Sequence, residues 1–114
     1  MSNDDNLDME LASGIAAFEA KNFTTAYRFL APFAEAGNPD AQYRMAIMAQ
    51  NGLGIISDID NDHALAITYY QLALAQRPGT PMVLNNLGYS YYLAGDWNAA
   101  EEAFRQAVNS DTKH

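Results

Sequence analysis

The chain contains no cysteine. That absence excludes a disulfide framework, thiolate-ligated zinc and a cysteine nucleophile. Positive charge is scarce: six Lys and Arg stand against 14 Asp and Glu, for a formal net charge of −8. The six are Lys21, Arg28, Arg44, Arg77, Arg105 and Lys113, scattered singly along 114 residues. Nucleic-acid binding draws on clustered Lys and Arg that release counterions from phosphate, so nucleic acid is not an expected partner, nor is an anionic membrane surface. A basic or polar protein is easier for such a chain to accommodate. No apolar run approaches the ~20 residues that span a bilayer. Met1-Ser-Asn-Asp-Asp-Asn lacks the basic and apolar regions of a signal peptide. A soluble, cytoplasmic protein is the resulting expectation. No stretch alternates apolar and polar residues between turn signals, so no strand is expected.

What is present is apolar and helical. Hydrophobic residues make up 49% of the chain, enough for a core in a protein of this length, and the length suggests one domain over residues 1–114. From Pro81 to Thr112 the order is Leu84, Leu87-Gly88, Tyr91, Gly95-Asp96, Ala100, Phe104, Ala107. That spacing marks a helix–turn–helix repeat of about 34 residues. Gly88 and the alanines allow close helix approach, Leu84, Leu87, Tyr91 and Phe104 fill the seam, and Gly95-Asp96 makes the turn. One hairpin cannot bury its apolar faces alone, so neighbours are implied.

They are visible upstream. Setting Ala26 against Ala100 aligns Gly14 with Gly88, Leu30 with Phe104, and Lys21-Asn22-Phe23 with Gly95-Asp96-Trp97. Helices are expected from about Asn6 to Lys21 and Thr24 to Ala36, ended by Gly37-Asn38-Pro39. A middle pair begins at Asp40, a candidate N-cap. Its first helix holds Tyr43 and Ile47 and ends at Asn51-Gly52-Leu53-Gly54. A long connection, Ile55 to Asn61, precedes a second helix from about Asp62 to Gln76. The architecture expected is all-α: six helices in three antiparallel pairs, over about 6–38, 40–76 and 81–112.

Residues suited to catalysis or metal binding form no pattern. Asp58-Ile-Asp60-Asn-Asp62 is similar to the start of a calcium loop, but His63 and Tyr69 stand where Gly and a carboxylate are needed. Asp62 is better read as a helix cap. His63 and His114 lack further ligands for zinc. Ser13, Ser57, Ser90 and Ser110 have no base in a recognisable arrangement. Glu101 and Glu102 are adjacent on a helix and so do not form an acid/base pair. Gly52-Leu-Gly54 lacks the Lys and Ser/Thr of a phosphate loop. Neither an enzyme nor a cofactor is expected.

Residues 81–112 resemble a tetratricopeptide repeat. Residues 40–76 are similar to the related Sel1-like repeat, through Asp40-Ala-Gln-Tyr-Arg-Met, Gly52-Leu-Gly54-Ile, and Ala66-x-x-Tyr69-Tyr70-x-x-Ala73. Ala46 and Ala49 depart from it where Gly and Tyr are usual, and the connection is longer. The first pair is a degenerate match. The resemblance implies a short right-handed α-solenoid, an adaptor or scaffold that binds a peptide or protein segment in a groove lined by the first helix of each pair. The implied lining is Tyr43, Ile47, Gln50 and Asn51 in the middle, Met82, Asn85, Tyr89 and Tyr92 in the third pair, and Leu11, Ile15 and Phe18 in the first. An Asn at the position of Asn85 or Asn86 would hold a peptide backbone. Family members that grip a terminal carboxylate use several Lys and Arg; only Arg44 stands near this lining, so that clamp is not expected.

The last helix carries Ala99, Ala103 and Val108 where a further helix would dock. The alternative to groove binding is therefore a structural protomer that self-assembles, or docks in a larger complex, through that face.

Overall fold

A computed structural model describes residues 3–53 and 62–112 of the protein. Among them are six helices and no strand: α1 (Asn3–Glu19), α2 (Phe23–Glu35), α3 (Pro39–Asn51), α4 (His63–Gln76), α5 (Pro81–Ala94) and α6 (Trp97–Thr112). Each helix packs on the next in order, giving three stacked hairpins, α1–α2, α3–α4 and α5–α6. The long connection at 55–61, with Asp58 and Asp60, lies outside the described residues.

Local chemistry sets the ends. Asn38, not Asp40, caps α3: its Oδ1 accepts from the Ala41 N–H at 2.9 Å. Pro39 follows at the first helical position, where its missing N–H costs nothing and its fixed φ suits the helix. Asp40 is left in the first turn, free to pair with Arg77 at 2.9 Å. Asp62 caps α4 as expected, accepting from the Leu65 N–H at 3.0 Å. Asp96 does the same for α6, accepting from the Ala99 N–H at 3.2 Å.

The aligned turns adopt the same backbone. Gly95 has φ 86°, and Lys21, its counterpart between α1 and α2, has φ 63°. A residue with a Cβ loses about 1–2 kcal/mol in that left-handed conformation, of which glycine avoids most. Lys21→Gly is therefore expected to stabilise the protein by about 0.5–1 kcal/mol. Thermal unfolding followed by circular dichroism reads this as a higher midpoint; a lower one would mean that the Lys21 side chain contributes more than its backbone strain.

The core has two parts that meet on α3. Ala26, Leu30, Ala34, Ala41, Met45 and Met48 form one cluster, in which α3 packs on α2. Ala46, Ala49, Ala66, Tyr70, Val83, Leu87 and Ala103 form the other. The middle hairpin thus contributes to both, which is why a lone hairpin would not suffice. Tyr70 is wholly buried, and its hydroxyl donates to the Gln50 Oε1 at 2.7 Å. Gln50 is consequently a core residue, 5% exposed, and not part of a groove lining. An amide on the inner side of α3 goes inward here because a buried phenol needs an acceptor.

Gly14 and Gly88 make equivalent close approaches. A Cβ on Gly14 would stand 2.7 Å from Leu30 Cδ2, and one on Gly88 2.7 Å from Phe104 Cε1. Phe104 is not fully enclosed, however: it remains 38% exposed while its ring covers Gly88. Ala103 departs further from expectation. It is 4% exposed and belongs to the core cluster with Leu87 and Tyr70, so it is not on an open face.

Candidate interaction face on α3 and α5

The sequence-derived lining residues separate into buried, half-buried and exposed groups. Tyr43 and Ile47 are half-buried and pack on the second core cluster. The Tyr43 ring lies 6.0 Å from that of Tyr70, centroid to centroid. Its hydroxyl oxygen accepts from the Asn86 Nδ2 at 3.0 Å, tying α3 to α5. Burial raises the Tyr43 phenol above its usual pKa, with the Asn86 hydrogen bond and the Arg44 charge opposing. Asn86 is thus a structural brace, while its neighbour Asn85 is exposed. Leu11, Ile15 and Phe18 are half-buried against the first cluster, and Asn51 turns back to donate to the Ile47 carbonyl at 2.9 Å.

The exposed members cluster on α5. Met82 is 59% exposed, Tyr89 49% and Tyr92 52%. The Tyr89 and Tyr92 rings stack, with centroids 6.4 Å apart and planes at 12°. Trp97, at the start of α6, meets Tyr92 edge-on at 5.1 Å and is itself 61% exposed. In the sequence Trp97 stands only as the counterpart of Phe23. Yet Phe23 is half-buried against Phe18, so alignment alone could not reveal the exposed role of Trp97. The one available signal was its position two residues after the turn glycine.

A cleft of about 180 Å³ opens where α3 and α5 begin, between Pro39, Asp40, Tyr43, Arg44, Ala73, Arg77, Thr80, Met82 and Val83. Arg77 comes from the α4–α5 turn. Arg44 is therefore accompanied by a second guanidinium, which the first-helix pattern could not predict because Arg77 lies outside any first helix. On the other side of the hairpin, Leu87, Tyr91, Ala99, Glu102, Ala103 and Gln106 border a shallower cleft, and Val108 is 62% exposed. Ala99 is half-exposed, unlike Ala103. Among the described residues no three His, Asp or Glu side chains converge as a metal site, and no helix is long and apolar enough to cross a membrane.

Residues 81–114 match the sequence profile described as tetratricopeptide repeat. The third hairpin is a tetratricopeptide repeat. Its α5 and α6 are the first and second helices of that repeat, and Gly88 under Phe104 is the close crossing between them. No curated protein matches the chain. A solved structure described as MamA MSR-1 C2 is similar in fold, with a TM-score of 0.77 and 23% identity. The similarity covers 97% of this chain and 60% of that one, so this chain spans about three-fifths of its length. The whole chain therefore shares the all-α solenoid fold of that solved structure, with a tetratricopeptide repeat as its last hairpin.

Proposed function

We propose that this protein is an interaction module that holds an extended protein segment against the α3–α5 face. The observation that carries this reading is the exposed aromatic run Tyr89–Tyr92–Trp97, prolonged along α5 by Met82. Tyr and Trp offer rigid, amphipathic contact area at low cost in side-chain entropy, and they are enriched among residues that dominate binding energy. Elsewhere in the fold the tyrosines pack on the core, so their exposure at this one place needs a reason of its own. Asn85 supplies an exposed amide able to donate to and accept from a peptide backbone. Tyr43 and Ile47 form the floor, held by the Tyr43–Asn86 hydrogen bond.

The test is affinity capture from native extract with the wild type beside Tyr89→Ala/Tyr92→Ala. Both side chains are half-exposed, so the variant should keep its stability within about 0.5 kcal/mol for each change. A protein retained by the wild type and lost by the variant is expected. Equal retention by both would sink the reading.

A second reading, self-association, is supported by the exposed Val108 and the cleft beside Ala99 and Tyr91. Ala99→Glu is the informative change, because Ala103→Glu would place a charge in the core. Sedimentation at increasing concentration should show a dimer for the wild type and a monomer for Ala99→Glu; a wild type that stays monomeric would rule the reading out.

A further inference from the structure

The cleft where α3 and α5 begin has a charge arrangement that the aromatic run does not use. Two of only six basic residues in a chain of net charge −8 line it, Arg44 and Arg77. Both are anchored to one residue in the first turn of α3. Arg77 Nη1 donates to the Asp40 carboxylate at 2.9 Å, and Arg44 Nη1 donates to the Asp40 carbonyl at 3.1 Å. The lining thus carries two guanidiniums and one carboxylate, and only Arg77 pairs with that carboxylate, leaving one uncompensated positive charge. The Arg44 Nε is buried and has no hydrogen-bond partner, although Arg44 is also held over the Phe18 ring at 5.8 Å. A buried charged donor without an acceptor is costly and is ordinarily satisfied. Tyr43 uses its oxygen to accept from Asn86, which leaves its O–H proton to donate. Apart from Thr80, whose hydroxyl donates to the Arg77 carbonyl, the remaining walls are apolar and include Met82 and Val83.

We infer that this cleft takes the side-chain carboxylate of a glutamate in the segment that lies along the α3–α5 face. The inference rests on the groove reading above. Charge selects the group: a carboxylate of charge −1 matches the single uncompensated charge. A phosphate of charge −1.5 to −2 would add negative charge to an already acidic protein. Arg favours carboxylates because its planar fork can meet both oxygens. Shape selects the source. A glutamate has a methylene stem to run along Met82 and Val83, whereas a chain-terminal carboxylate sits directly on the backbone and has none.

The probe is acetyl-Ala-Ala-Glu-Ala-Ala-amide, titrated into the full-length, isotope-labelled protein while the Nε–Hε resonances of Arg44 and Arg77 are followed by NMR. Controls are the Gln version of the peptide, acetyl-Ala-Ala-Leu with a free carboxylate, and inorganic phosphate. A saturable shift at millimolar concentration is expected for the Glu peptide, with at least tenfold weaker binding of each control. Arg44→Gln and Arg77→Gln should each remove the shift; Arg77 is 60% exposed, so its variant carries little risk to the fold. Tyr89→Ala/Tyr92→Ala should leave the shift in place, which separates this site from the aromatic run. A Glu peptide that produces no saturable shift, or a control that binds as well, would overturn the inference.

Discussion

Tyr70→Ala is expected to lower the unfolding free energy by about 3–5 kcal/mol, the range for removing a large buried aromatic side chain. Tyr70 is wholly buried and lies at the junction of α3, α4 and α5, so the space cannot fill from solvent-side chains. The same change leaves the buried Gln50 Oε1 without its donor, a further cost of about 1–3 kcal/mol. Set against a usual total of about 5–15 kcal/mol, this removes about a quarter or more of the stability. Urea denaturation measures it directly, and a loss under 1 kcal/mol would refute this account of the core. Tyr70→Phe keeps the ring and should cost only about 1–3 kcal/mol, the desolvation cost of the unpaired amide oxygen.

Tyr70 also predicts alkaline sensitivity. Burial, and secondarily Tyr43, push its phenol well above the ordinary value of about 10. Burial acts in the same direction on Tyr43 and Tyr69. The folded state therefore retains these protons where the unfolded chain has released them. The stabilisation is complete below pH ~10 and declines as pH rises beyond it. Denaturation midpoints measured across that window should fall for the wild type, and fall less steeply for Tyr70→Phe.

The second large effect concerns the paired glycines, which sequence alignment makes equivalent and packing does not. Gly14→Ala is expected to cost about 2–3 kcal/mol and Gly88→Ala about 1 kcal/mol or less. Both gain the helix propensity of alanine, about 1 kcal/mol. The difference lies in what the new methyl group meets. Beside Gly14 are Leu30 Cδ2 at 2.7 Å, Leu30 Cγ at 2.9 Å and Phe29 Cβ at 3.0 Å, and Leu30 is wholly buried. Moving it would disturb the core. Beside Gly88 the three nearest atoms all belong to the Phe104 ring, and that residue is 38% exposed, so the ring can swing outward. Chemical denaturation of the two variants decides the matter, and equal losses would refute the distinction. Phe104→Leu added to Gly88→Ala should recover part of any loss.

Much of this protein can be read from local pattern. Ala66, Ala73, Ala100 and Ala107 at seven-residue intervals, with turn residues at Gly37, Gly52 and Gly95, identify six helices in three pairs. Short-range chemistry places their ends, because caps and left-handed turns depend on a few adjacent residues. At α3 two capping residues compete, and Asn38 followed by Pro39 prevails over Asp40.

The interaction face was less legible. Helical spacing groups Tyr43, Ile47, Gln50, Tyr89 and Tyr92, but it does not say how far each is turned from the core. Gln50 is drawn inward by the buried Tyr70 hydroxyl, twenty residues away on another helix. Ala103 is small enough to sit inside the seam, whereas Val108, five residues on, remains exposed. Trp97 joins Tyr92 because the α5–α6 turn brings the start of one helix beside the end of the other.

The sequence by itself determined the helical class, the three-hairpin organisation, the close crossings at Gly14 and Gly88 and the acidic balance, because each depends on spacing or composition. Only the tertiary structure decided which lining residues are exposed and that Arg44 and Arg77 share a cleft. Those outcomes depend on how one hairpin is rotated against the next, and that rotation is set by packing between residues far apart in the chain.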